Sequence, residues 1–166
     1  MSMYSFSVPV VLRFLDNLSA ILKKGEDFAK EKEIDELVLT SARLAPDMFP
    51  LSRQVMIACD VAKGCGARLS GAESPVHEDT ETTFDELQGR IKKVKEYLES
   101  IPAESIEGSE DKEIKFKAGP YELEFTGEEY LSTFALPNLY FHITTAYNIL
   151  RHNGVDVGKM DFLGGS

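Results

Sequence analysis

The sequence predicts an all-α (mainly α) protein, a four-helix bundle with a small β-hairpin between its third and fourth helices. Four segments repeat apolar residues at three- and four-residue spacing, the period of a helix that buries one face. Glycine, proline and polar residues punctuate the gaps between them. In one gap the period changes to strict alternation, the mark of a strand pair. At 166 residues the chain has the size of one domain, and 1–166 is treated as a single unit with its own core.

The first helix covers roughly Ser7–Lys24, with Val8, Val11, Leu12, Leu15, Leu18 and Leu22 on one stripe. Pro9 falls near its start, where the missing N–H costs nothing. Ile34–Ala45 is apolar but stops at Pro46, which suits a short helix or a packed loop. The second helix is roughly Phe49–Ser70, with Leu51, Val55, Ala58, Ala62, Cys65 and Leu69 as its stripe and Gly71 as its stop. Thr83 and Glu86 have the spacing of a capping box and open the third helix, which buries Phe84, Leu87, Ile91, Val94 and Leu98.

The hairpin is read at Glu113–Lys117 and Tyr121–Thr126. Ile114 and Phe116 share a face, as do Leu123 and Phe125, and Ala118-Gly119-Pro120 supplies the turn. Thr126 with Glu129 caps a short helix, and Leu136 before Pro137 marks a break. The fourth helix then runs Pro137–Asn153 with Leu139, Ile143, Ala146, Tyr147 and Leu150 inward, ending at Gly154.

Composition narrows the function. A net charge of −10 argues against a nucleic-acid surface, which needs clustered cations. Lys92, Lys93 and Lys95 alternate with Glu96 and Glu99 and read as a solvated helix face. No apolar run reaches the roughly 20 residues that span a bilayer, and MSMYSFSVPVVLRFL lacks the charged leader of a signal peptide. The expectation is a cytoplasmic protein that engages neither membrane nor nucleic acid. Cys59 and Cys65 lie on different helix faces, so they do not bridge there and are read as structural.

The candidate site comes from the histidines. Asn138 and His142 stand one turn apart on the fourth helix, with His142 at the edge of the apolar stripe. That imidazole is either a ligand or acid/base group, or a core-edge side chain satisfied by a neighbour. Gln54 holds a similar edge on the second helix, and the three side chains converge if the two helices are neighbours. His77, among Glu78, Asp79 and Glu81, is expected to hold its proton more tightly. It too is a candidate ligand. His152, in the last turn, suits the helix dipole, and Asp60 projects away from its stripe. Gly64-x-Gly66 sits inside a helical pattern and is no phosphate loop. Phe14, Phe28, Tyr140, Phe141 and Phe162 read as core or dimer contacts; Phe14, Tyr140 and Phe141 lie off the stripes and suggest a homodimer.

On LPNLYFHITTAYNILRHNGVDVGKMDFLG (136–164), APDMFPLSRQV (45–55) and SPVHEDTETTFDELQGRI (74–91), the chain resembles the DinB/YfiT-like bundle superfamily. Within it, the resemblance is to a bacterial branch defined by a domain of unknown function. The resemblance implies thiol-dependent transferase or isomerase relatives that hold a divalent ion with three histidines, one on helix two and an H-x-x-x-H pair on helix four. His142 matches the second histidine of that pair, Asn138 stands at the first, and Gln54 at the helix-two position. One strong ligand of three remains. The expectation is therefore a small-ligand protein with a polar pocket at Gln54, Asn138 and His142 and no cofactor. The alternative is a metal- or thiol-dependent transferase or isomerase with a site rebuilt around His142 and His77 and a divalent metal.

Overall fold

The structure, a computed structural model, describes residues 2–165. Its helices are α1 (Met3–Phe6), α2 (Val8–Glu31), α3 (Glu36–Thr40), α4 (Leu51–Ser70), α5 (Phe84–Glu99), α6 (Gly127–Glu129), α7 (Leu136–His152) and α8 (Lys159–Leu163). Strands β1 (Ile114–Ala118) and β2 (Tyr121–Phe125) form one antiparallel pair.

Contacts between distant parts of the chain give the direction of each long helix. Ser19 Oγ donates to Gln88 at 2.6 Å, and Asp16 pairs with Lys95, so α2 and α5 run antiparallel. Gln54 meets His142 and Arg68 meets Tyr130, so α4 and α7 are antiparallel as well. Asp60 meets Arg90, and Gly66 lies against Leu98, which makes α4 and α5 parallel. Helices α2 and α7 are also parallel, from Phe14 beside Tyr140 to Gly25 beside Leu150. Leu15, Leu18, Leu22, Val55, Ala62, Leu87, Val94, Ile143 and Leu150 are among the residues sealed into the shared core. Burying such a side chain contributes about 1.5–3 kcal/mol, and these stripes hold the helices together.

The helix expected to end near Lys24 continues to Glu31. Its exposed face is laced by Lys23–Glu26, Lys23–Asp27 and Lys30–Glu26 pairs at helical spacing. Its buried face continues through Gly25 and Ala29. Gly25 is small because Phe84 and Leu150 press on it: an added Cβ would come 3.0–3.2 Å from their side chains. The stretch Met3–Glu31, 29 residues, is long and apolar enough to cross a bilayer by length and composition, contrary to the expectation that no run is. In this fold its apolar face is core.

Capping boxes form at Thr83–Glu86 and Thr126–Glu129. In the hairpin Phe116 pairs with Leu123 and Ile114 with Phe125, and Phe116 and Phe125 pack on Tyr130 and Phe134. The break expected at Leu136-Pro137 is absent. Tyr130–Ala135 is instead a π-helix running straight into α7. Widening the turn before Pro137 relieves the clash its ring would make in a regular helix.

Phe14, expected at a dimer face, packs on Tyr140 at 4.7 Å and Phe162 at 5.4 Å under α8. Of the three residues read as off the stripes, Phe14, Tyr140 and Phe141, only Phe141 stays largely exposed, at 55%.

Two glycines test this packing in opposite directions. At Gly127 an added Cβ would lie 1.8 Å from the Ser109 carbonyl oxygen, a backbone atom that cannot step aside. Gly127→Ala is expected to lower stability by about 3 kcal/mol. At Gly89, within α5, nothing lies within 4 Å, and Gly89→Ala is expected to raise stability by about 0.5–1 kcal/mol. Urea midpoints of the two variants check both signs.

Candidate functional site

Antiparallel packing of α4 on α7 brings the first turn of one against the second turn of the other. There His142 Nδ1 lies 2.7 Å from Gln54 Oε1, in the buried interior. Gln54 Nε2 donates to the Phe49 carbonyl at 3.1 Å. That second bond fixes the amide, so Oε1 is the atom facing the ring. Nδ1 therefore carries the hydrogen and Nε2 keeps a lone pair. His142 is 9% exposed and Gln54 2%. Burial holds the imidazole's pKa down to about 4, because a charged ring there would lose its water. At neutral pH it is an uncharged acceptor.

Around this pair, the Phe141 ring stands edge-on to His142 at 5.2 Å, and Arg53 lies 5.8 Å over the Phe49 ring. Phe49 and Phe141 are each 55% exposed. Asn138, one turn before His142, is half-buried, and its side chain makes no hydrogen bond among the described residues. Clefts at the hairpin, along α5, at the end of α4 and beside α1 are not lined by Gln54, Asn138 or His142.

His77 lies apart from this pair, half-buried on the α4–α5 connection. Its proton affinity is lowered rather than raised, first by burial and then by the charges of Lys63 and Arg90. The expectation failed because two of the acids near His77 in sequence, Asp79 and Glu81, pair with arginines instead. Its Nδ1 is buried with no partner among the described residues.

Those partners form a network that sequence reasoning missed. The Arg90 guanidinium, 1% exposed, donates to the Glu78 carbonyl at 2.9 Å and to both Glu81 oxygens at 3.1 and 3.2 Å. It also reaches Asp60 at 2.9 Å and Asp79 at 3.0 Å. Lys63 pairs with Asp60 at 2.8 Å, and Arg53 pairs with Asp79. The carboxylates outweigh the cost of burial and raise Arg90's proton affinity. A signal was present: Arg90 sits three after Leu87 and four before Val94, on the buried stripe, where an arginine requires acid partners. Asp60, set aside at sequence level, is one of them.

The donor set does not suit a three-histidine ion. The three positions hold two amides and one imidazole whose Nδ1 is already bonded, and amides are weak ligands beside histidine, cysteine or carboxylate. Among the described residues no three His, Cys, Asp or Glu side chains converge as a metal site. Cys59 and Cys65 are buried, and burial pushes both thiols up to about 12. Neither is a ready nucleophile.

A domain of unknown function (DUF1993) matches residues 3–163. A crystal structure of a DinB family member protein from Shewanella denitrificans is 46% identical, with a TM-score of 0.89 over 98% of this chain and 92% of that one. No curated protein matches.

Arg90 is the part of this region whose loss is most readily measured. Arg90→Met leaves Asp60, Asp79 and Glu81 without their shared cation, and a loss of about 3 kcal/mol is expected. Arg90→Lys is expected to recover less than half of that, because one ammonium cannot span the fork. Guanidinium denaturation of the three proteins checks the order.

Proposed function

Because the chain belongs to the DUF1993 family, a domain of unknown function, and shares the fold of a DinB family member, we propose a binding role with no metal ion. The ligand is a small molecule carrying an N–H, O–H or S–H donor, held at His142. One observation carries the reading: Gln54 Oε1 takes the Nδ1 hydrogen at 2.7 Å, leaving Nε2 an uncharged acceptor at neutral pH. The exposed Phe49 and Phe141 rings give such a ligand apolar surface to rest on, and Asn138 offers it a free amide. An imidazole held neutral and a pair of amides favour selection by hydrogen bonding, which penalises an analogue lacking the donor.

The test is an imidazole nitrogen spectrum of protein purified without an affinity tag, with phenol and acetamide as probes and metal analysis of the same sample. The expected result is an Nδ1–H tautomer, saturable movement of the Nε2 resonance with at least one probe, and no stoichiometric metal. Equimolar zinc or nickel abolished by His142→Ala would overturn the reading, as would an Nε2 resonance that neither probe moves.

Acid stability follows from the same burial. The folded pKa of about 4 lies below the ordinary 6.5, so the unfolded chain takes up the proton first and stability falls as pH drops from 6.5 towards 4. At about 1.4 kcal/mol per unit the loss approaches roughly 3 kcal/mol, fully developed below pH 4. His142→Gln is expected to flatten that part of the stability–pH curve, read from urea midpoints at half-unit intervals.

A further inference from the structure

The far end of α4 carries a second site, of opposite electrostatic character to the chain as a whole. An open cleft of about 300 Å³ lies between the last turns of α4 and the start of β1, lined by Arg68, Lys112, Lys115 and Glu113 together with small residues such as Gly64 and Ala67. Lys115 is neutralised, paired with Glu113 at 2.6 Å and Glu124 at 3.2 Å. Arg68 and Lys112 have no carboxylate within ion-pair distance among the described residues, in a chain of net charge −10.

Both cations are held in place by neutral groups. Arg68 Nη1 donates to the Tyr130 hydroxyl at 3.0 Å, and the guanidinium lies 4.0 Å over the Phe116 ring. Tyr130 is itself 1% exposed, so the anchor is rigid. That arrangement uses one of the guanidinium's five N–H donors and leaves the fork oriented. Lys112 Nζ donates to the Leu69 carbonyl at 3.0 Å, which quenches the negative end of α4, and keeps two further donors.

Glycine makes the room. An added Cβ at Gly64 would come 2.2 Å from Arg68 Nη1, and at Gly71 3.1 Å from Lys112 Nζ. Each cation thus occupies space that only a residue without a side chain leaves open. We propose that this cleft binds an oxyanion, a phosphate or carboxylate group of a small molecule, clamped between the Arg68 fork and the Lys112 ammonium. The site is independent of His142: Arg68 lies fourteen residues beyond Gln54 on α4, about 20 Å along the axis.

The test is titration with inorganic phosphate and, separately, succinate, at ionic strength held constant with sodium chloride, following the Arg68 guanidinium nitrogens by NMR. Saturable movement with at least one anion is expected, and the stronger of the two names the ligand class. Lys112→Gln is expected to weaken it roughly tenfold. Gly64→Ala, whose added methyl would push Arg68 Nη1 off the Tyr130 hydroxyl, is expected to weaken it likewise. Lys93→Gln, an equal charge change on an exposed residue that does not line the cleft, is expected to leave binding unchanged. Failure of both anions to saturate, an equal loss in Lys93→Gln and Lys112→Gln, or undiminished binding in Gly64→Ala would each overturn the proposal.

Discussion

A guanidinium removed from water must meet its charge within the fold, and Arg90 imposes that requirement on two separate pieces of chain. Its partners come from α4 (Asp60) and from the α4–α5 connection (Glu78, Asp79, Glu81). Since α4 and α5 run parallel, that connection has to travel the length of the helices before α5 can begin, with no ladder of its own to hold it. Arg90 fastens it. The Thr83–Glu86 capping box then starts α5 at the end of the tethered segment, and Glu36 of α3 accepts the Phe84 N–H at 2.8 Å. Helix packing sets where α5 lies, while this network sets how the chain reaches it.

The sequence makes the helices readable because burial recurs at their own period. Leu87, Ile91, Val94 and Leu98 can be placed on one face by counting, and so can Leu139, Ile143, Ala146 and Leu150. The hairpin was legible for the same reason at period two, and Thr126–Glu129 announced itself by spacing. What counting does not deliver is the identity of the facing helix. Asp60 and Arg90 are thirty residues apart, each weak evidence alone, and only parallel packing makes them a pair. The π-helix at Tyr130–Ala135 was hidden for a related reason: Pro137 signals a disturbance, but a break and a widened turn share that signal.

His142 and Gln54 occupy stripe edges that periodicity could locate, and their hydrogen bond depends on antiparallel packing that it could not. Asn138 was legible only as a position. Its half-buried side chain makes no bond with either residue, because one turn along α7 displaces it by about 5 Å from the ring. His77 is the sharper lesson. Its sequence neighbours are acids, yet Asp79 and Glu81 are paired with arginines, so burial and the charges of Lys63 and Arg90 prevail at the ring. Proximity along a chain is a poor guide to electrostatics wherever a buried cation competes for the same anions.

That competition also explains how so acidic a chain can hold an electropositive cleft. Asp60, Asp79 and Glu81 are drawn towards Arg90, and Glu113 and Glu124 are taken up by Lys115. The guanidinium of Arg68 meets an aromatic face and a phenol instead, both uncharged at neutral pH, since burial pushes the Tyr130 hydroxyl up to about 12. An arginine orienting itself on neutral groups keeps its full charge available to the cleft, whereas Arg90's is cancelled by the acids around it. The difference lies in the neighbours: Gly64 and Tyr130 leave one guanidinium open, while Asp60 and Glu81 close the other.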